Sequence, residues 1–579
     1  MDKEIRWRQK NFILLFMCML LSIAFLFGCG DKNVAEEATA MSLSEDAEAA
    51  EEERKRQEEL QKLTNGDIEI KTKELTGYAT DAMLTYQEDN EQLMYSCKME
   101  QIPKSDDAYI YLFSKETFEN EYKLFGEPVA SALKGTDCEI TFEYENEFLF
   151  ARFVPSLLIN GKYVPLCGGV YLSNPEALAE NTQAYPQTES KKGLLLDPTI
   201  VGTEKTIDLG VKHAIYNIPL SIIMGETTDE EVPTIVYNYK GKDYLFNGAA
   251  LRGYDGLFSY LNDMGMSCTA IILNDWNDDH IEMIHPKARK KSNESYYYMF
   301  NATEQGGTRE LEAIASFLTE RYSGGEYGLV HSWVIANEIN QQNIWNYMNT
   351  EDVEYYAQEF EKAFRIFYQA AKSQYANSQV YFSIDHDWNS NGGKNSKFFN
   401  GKDLIVAFND MAEKHGNYDW GIAIHPYPNP ISEVEYWKQE YDKTQDAEVL
   451  TIMNLNVLTD FLKQDEYLNA DGKVRNITIT ELGFTSREGE KLQAAAFAYC
   501  YYIIEANPYI KAFIMNRQTD APEEMEQGLA FGIYNCDKSE KYLKDVFKYI
   551  DTDEAEEYTE FMLDILEVET LEEALEWAE

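Results

Sequence analysis

Between residues 214 and 515 the chain carries eight short apolar runs, at 214–218, 269–273, 296–300, 333–336, 380–384, 421–424, 477–479 and 512–515. Most are separated by helix-length segments, at 254–264, 309–322, 353–375, 403–415, 448–463, 490–505 and 539–550. A run that is apolar throughout belongs to a strand buried on both faces, and successive parallel strands need a helix to bring the chain back. Eight such units predict an α/β fold, a (β/α)8 TIM barrel over 206–550. An open doubly wound sheet would want a glycine-rich phosphate turn after its first strand, and 215–220 is followed by none. The segment 232–249, with Lys240-Gly241-Lys242 between two β-like runs, predicts a hairpin in the first strand–helix connection.

Upstream of the barrel the period changes to two. Ile68-Glu69-Ile70-Lys71, Tyr109-Ile110-Tyr111-Leu112-Phe113 and Glu139-Ile140-Thr141-Phe142 alternate between turn residues. That predicts a small antiparallel β-domain over 66–205, a sandwich, preceding the barrel. The chain opens with Lys3, Arg6, Arg8 and Lys10, then an apolar stretch from Phe12 to Phe27. This is the layout of a secretory signal, and it is short for a membrane span of ~20 residues. The ending Leu26-Phe27-Gly28-Cys29 resembles a bacterial lipobox. That resemblance implies loss of residues 1–28 as a signal peptide, lipid attachment to Cys29, and an extracytoplasmic protein anchored to the cell membrane. Residues 29–65, rich in Ala and Glu, are expected to be an acidic tether. Residues 551–579 hold 13 acidic residues and no basic one, with an apolar stripe at Phe561, Met562, Ile565 and Leu566, and predict an acidic C-terminal helix on the barrel rim.

The charge balance, 51 Lys and Arg against 101 Asp and Glu, excludes nucleic acid as a partner, because phosphate contact needs clustered cations. Cys97, Cys138, Cys167, Cys268, Cys500 and Cys536 form no CxxC pair and have no His at ligand spacing, so neither a metal nor a cofactor is expected. A disulfide among the first three stays open. Asp387-x-Asn389-x-Asn391-Gly392 starts like a calcium loop, but Phe398 stands at the twelfth position where a carboxylate is needed.

Chemistry in a barrel sits at the C-terminal ends of strands. The fourth run ends in Ala336-Asn337-Glu338, and the seventh in Thr480-Glu481-Leu482. Strands four and seven are three apart around an eight-membered ring, so two carboxylates face each other across one mouth. Glycoside hydrolysis uses such a pair. Asn337-Glu338 after strand four and Glu481 after strand seven resemble the signature of the large clan of retaining (β/α)8 glycoside hydrolases, over about 210–550. Within bacterial proteins the barrel looks like an uncharacterised, glycosidase-like family. The resemblance implies a poly- or oligosaccharide substrate, Glu338 as acid/base and Glu481 as nucleophile. It also implies Asn337 on the sugar 2-hydroxyl, and His425 and Tyr427 lining the central subsite.

The clan often has an Arg at the end of strand two, where this chain has Leu273-Asn274-Asp275-Trp276. It often has a Trp after strand eight, where this chain has Met515-Asn516-Arg517-Gln518. Arg517 is the candidate for the missing charge. These departures motivate a second expectation, a catalytically inactive carbohydrate-binding surface lipoprotein. By position, Trp276, Trp345 and Trp388 are candidates to stack on sugar, and Asp385 and Asn217 to bind its hydroxyls.

Overall fold

The computed structural model describes residues 32–229, 231–390 and 397–578, with side chains from residue 47 onward. Cys29 and the signal segment lie outside the described residues. Helix α1 (Lys32–Asn65) leads into the folded part. No helix among the described residues is long and apolar enough to cross a membrane.

The first domain is built from β1 (Thr80–Gln87), β2 (Gln92–Lys98), β3 (Tyr109–Lys115), β4 (Ala130–Leu133), β5 (Asp137–Glu143), β6 (Arg152–Ile159) and β7 (Lys162–Pro165). They form two antiparallel sheets, β1-β2-β5 and β4-β3-β6-β7. Alternation does the work: Cys138 and Ile140 of β5 point inward while Asp137, Glu139 and Thr141 face solvent. Leu93, Tyr95, Ile110, Leu112 and Phe153 close the shared core. Cys97 and Cys138 stand directly opposite one another across β2 and β5 as free thiols.

The second domain is a closed parallel barrel. Its strands are β8 (Lys192–Leu194), β9 (His213–Pro219), β12 (Ser267–Leu273), β15 (Ser332–Ile335), β16 (Gln379–Asp385), β17 (Trp420–His425), β18 (Ile477–Leu482) and β19 (Ile510–Met515). Two small hairpins, β10 (Ile235–Tyr239) with β11 (Lys242–Phe246) and β13 (Ser323–Gly325) with β14 (Gly328–Leu329), lie outside it. Every residue of β15 and β17 is buried, as expected of strands with a filled interior on one side and helices on the other. Ile215, Ile271, Leu273, Val334, Tyr381, Ala423 and Ile514 fill the interior. Large and small alternate there: a Cβ on Gly421 would lie 2.5 Å from the Tyr381 ring, and one on Gly193 2.4 Å from Ile514 Cδ1.

Three expectations are corrected. The first barrel strand is β8, inside the stretch assigned to the accessory domain, so the barrel starts at residue 192 and not at 206. β8 is three residues long and includes Lys192, whose buried ammonium donates to the carbonyls of Phe547 and Lys548 and pairs with Asp551. A charged residue in so short a strand hides the apolar signal. Conversely, 296–300 is not a barrel strand. It belongs to the long connection after β12 and makes only isolated bridges, pairing Tyr297 with Asp275, Tyr298 with Tyr347 and Phe300 with Ile284. The run at 214–218 is therefore the second strand, and the hairpin β10–β11 falls in the second connection. Finally, the acidic tail is three short helices, Ala555–Thr559, Phe561–Leu566 and Leu571–Glu576, rather than one.

Further helices position the mouth: α2 (Gly248–Asp263), α3 (Gln305–Arg321), α4 (Gln342–Trp345), α5 (Val353–Gln374), α6 (Gly401–Lys414), α7 (Asn456–Leu462), α8 (Glu490–Ala506), α9 (Pro522–Glu526) and α10 (Leu543–Tyr549).

Candidate active site

The chain leaves β15, the fourth barrel strand, through a turn that puts two non-glycine residues in the left-handed region, Ala336 (φ 64°) and Glu338 (φ 35°). Such backbone is costly and persists only where neighbours hold it. The Ala336 N–H donates to the Ile272 carbonyl, the Glu338 N–H to Ser383 Oγ at 2.7 Å, and the Glu338 carbonyl accepts from the Gln341 N–H. The turn aims the Glu338 side chain over the barrel, with Asn337 half-buried beside it.

Glu338 Oε1 lies 2.8 Å from His425 Nδ1, at the end of β17. The other imidazole nitrogen lies 3.0 Å from Thr480 Oγ1. The same Nδ1 is 3.9 Å from Glu481 Oε2. Two glutamates 143 positions apart in the chain therefore meet at one ring nitrogen. The triangle limit from those two contacts holds their nearest oxygens within about 7 Å. That includes the ~5–5.5 Å of retaining glycosidases and excludes most of the ~6.5–9.5 Å range of inverting ones. Tyr427 OH donates to Glu481 Oε1 at 2.9 Å and accepts from Asn516 Nδ2 at 3.2 Å. Phe531 stacks on the Tyr427 ring.

The electrostatics separate the roles. Burial raises the Glu338 carboxyl above its usual range; His425 pulls against this, and the charges of Asp385 and Glu481 add to the rise. Burial alone would lower the His425 imidazole, but Glu338, Glu481 and Asp385 outweigh it and raise it. Burial and the Glu481 charge hold the Tyr427 phenol far above its usual range, so it remains a donor. Glu338 is the more enclosed carboxylate, at 14% side-chain exposure against 38% for Glu481.

The other candidates divide. Trp388 is fully buried, packed edge-on against Phe461, so it does not reach the mouth; this corrects the expectation. Trp276 is half-buried, with Nε1 donating to Asp278 and its ring against Tyr298. Trp345 on α4 stacks with Tyr296 (4.9 Å between centroids, 19°) and with Tyr297 (5.9 Å, 29°). Asp385 is buried, and its Oδ1 accepts from Asn340 Nδ2 and the Asp387 N–H. It thus pins the turn after strand four to strand five. Asp385, His386 and Asp387 bring possible ligand atoms within 4.8 Å of one another. The Asp385 and Asp387 carboxylates accept from Asn340 and Gln341. Asn217 is exposed on β9, and Arg517 follows β19. Both line a cavity of about 410 Å3 with Leu195, Asp197 and Asp520, over strands eight, one and two. Arg517 Nε is 3.8 Å from Glu524 of α9. Burial raises Glu524, which Arg517 opposes and Glu481 reinforces.

Sequence reasoning missed Ser383, Thr480, Asn516, Glu524, Tyr296 and Tyr297. Ser383 was available from strand alternation, since it shares a face with Asp385. Thr480 and Asn516 adjoin residues already singled out. Tyr297, which packs on the barrel interior from above, sits in irregular backbone that has no periodic signal.

The profile of a family of unknown function, DUF5722, matches residues 184–574. The chain belongs to that family. The start of the DUF5722 match agrees with a barrel that begins at β8. A comparison with curated proteins finds no match. Among solved structures, this DUF5722 member is similar to a family 39 glycoside hydrolase from the gut symbiont Bacteroides cellulosilyticus WH2, with 14% identity, 77% of each chain covered and a TM-score of 0.42. It is also similar to a family 1 β-glucosidase from Thermotoga maritima, with 13% identity, 60% of this chain and 84% of that one covered, and a TM-score of 0.37. The GH53 catalytic domain of Ignisphaera aggregans is 13% identical over 64% of this chain and 99% of its own, with a TM-score of 0.39.

Proposed function

We propose that this protein is a retaining glycoside hydrolase acting on a poly- or oligosaccharide. The observation that carries the reading is the convergence of Glu338 and Glu481 on one imidazole at the C-terminal mouth of a (β/α)8 barrel. Glu338, whose hold on its proton is strengthened by burial and by neighbouring carboxylates, gives that proton to the leaving oxygen. Tyr427 holds Oε1 of Glu481, which leaves Oε2 to attack the anomeric carbon and form a glycosyl-enzyme. Glu338, now a base, takes a proton from water, and the hydroxide displaces Glu481. His425 bridges the two carboxylates and moderates their repulsion while Glu338 changes state.

The test is a panel of oligosaccharides and polysaccharides scored for new reducing ends, followed by NMR of the first anomer released. Retention of configuration is expected. Inversion would sink the double displacement, and binding without any cleavage would favour the inactive carbohydrate-binding reading.

The proposal includes a lipid anchor on Cys29 that holds the enzyme on the outer face of the cell membrane. Full-length protein should sediment with membranes, and Cys29→Ser should shift it to the soluble fraction; an unchanged distribution would refute the anchor.

A further inference from the structure

The mouth has two unlike sides. Over strands eight, one and two lies the cavity lined by Leu195, Asn217 and Arg517. Over strands three and four it carries the aromatic stack, anchored by backbone: the Tyr296 N–H donates to the Ile344 carbonyl and the Tyr347 N–H to the Tyr297 carbonyl. Tyr297 is the inner member. It packs on the barrel interior and feels the charges of Asp275 and Glu481, which add to burial in pushing its phenol up to about 12. Trp345 stacks on both Tyr297 and Tyr296, and belongs to the short helix that follows the Glu338 turn. Tyr296 is outermost. Trp345 covers one face of its ring, yet the residue is 63% exposed, so the other face is turned to solvent.

Tyr296 is thus an exposed large aromatic whose ring is held flat on a second one. Tyr296 is therefore both supported by the indole and wet. The apolar C–H face of a pyranose carries partial positive charge, and a π face carries negative charge, so a fixed, half-covered ring suits a sugar.

The chemistry gives the direction. A general acid lies beside the leaving group, because it must protonate the oxygen that departs. The nucleophile lies beneath the sugar whose anomeric carbon is attacked. The stack is tied to the Glu338 turn, whereas the Arg517 cavity lies on the far side, beside the strands that follow Glu481.

Building on the hydrolase reading above, we infer that Tyr296, rather than the Trp345 beneath it, is the platform for the leaving-group sugar. The substrate therefore runs from the Arg517 cavity, across Glu481 and Glu338, onto Tyr296. The enzyme acts on chains that extend past the scissile bond toward the reducing end.

The experiment compares two substrates of one glycone in wild type, Tyr296→Ala and Tyr296→Phe. One is the glycosyl fluoride, whose leaving group is too small to reach any platform. The other is the oligosaccharide found by the panel. The readout is the ratio of kcat/KM for oligosaccharide over fluoride. Tyr296→Ala should lower that ratio about tenfold, and Tyr296→Phe should restore it, since the ring and not the hydroxyl is at work. An unchanged ratio in Tyr296→Ala overturns the platform. So does a ratio that falls equally in Tyr296→Phe. A panel that yields no cleaved oligosaccharide, with a fluoride that wild type leaves intact as well, ends the hydrolase reading and the platform with it. Wild type that cleaves both, with no change in ratio, ends the platform alone.

Discussion

Replacing Glu481 with Ala should lower kcat on every substrate by ~10^4-fold or more, because the nucleophile and the step that depends on it vanish together. Glu338→Ala should behave differently. On an unactivated oligosaccharide the loss should be ~10^3-fold, the contribution of a positioned proton donor. On a glycosyl fluoride, which departs without help, the first step should survive and the glycosyl-enzyme on Glu481 should accumulate. Azide then separates the roles. In Glu338→Ala it attacks the glycosyl-enzyme from the opposite face and gives the azide of retained configuration. In Glu481→Ala it takes the place of the missing carboxylate directly and gives the inverted azide. Swapped stereochemistry would exchange the two assignments, and full activity in both variants would remove the pair from the mechanism. The pH profile carries the same information. Burial and two neighbouring carboxylates raise Glu338, and the acid form is the active one, so wild-type kcat/KM should fall only as pH climbs above the ordinary carboxylic range. That alkaline limb should be missing in Glu338→Ala.

The pair was legible in the sequence for a partly fortunate reason. Glu338 and Glu481 were placed after strands four and seven by counting apolar runs, and the count contained two errors that cancel. The run at 296–300 was counted as a strand although it is irregular. β8 was not counted, because Lys192-Gly193-Leu194 has one apolar side chain and a buried charge held by the end of α10. What made these strands readable is burial on both faces, which leaves continuous runs such as 333–335 and 512–515. The loops carry no such constraint. Trp388 looked like a mouth residue because it follows β16 by three positions, but the chain turns at once and packs the indole on Phe461. Tyr296 and Tyr297 read as the start of a barrel strand because 296–300 is an apolar run. Only the isolated bridges that fold the loop back over the barrel reveal them as part of the mouth.

Arg365→Met should cost ~3–5 kcal/mol of stability, the usual penalty for stranding one member of a buried ion pair. Arg365 and Glu361 are one turn apart on α5, and both are almost wholly buried. The guanidinium donates to Glu361 and to the carbonyls of Ala412 and Gly416 at the end of α6. Its Cζ lies 3.5 Å from the centre of the Tyr418 ring and 5.0 Å from that of Tyr171, which the accessory domain supplies. Close by, the Tyr171 N–H donates to the His415 carbonyl and Gln369 Nε2 to the Leu172 carbonyl. Arg365 therefore joins the two domains as well as two helices. Burial alone would push the Glu361 carboxyl up; Arg365 and His415 outweigh it and bring the group down to about 2. A carboxyl lowered on folding contributes stability above its unfolded value of 4.5, and that share is lost as pH falls toward 2. In Arg365→Met the cation is gone and burial prevails, so Glu361 should rise and the acid-dependent loss should begin at higher pH. The double variant Glu361→Leu with Arg365→Met removes both charges and should regain most of the stability, because neither is then left buried without its partner. Denaturant titration of the three proteins at several pH values measures all of this. A double variant as unstable as Arg365→Met would locate the cost in the lost stacking on Tyr171 and Tyr418 instead of in the stranded carboxylate.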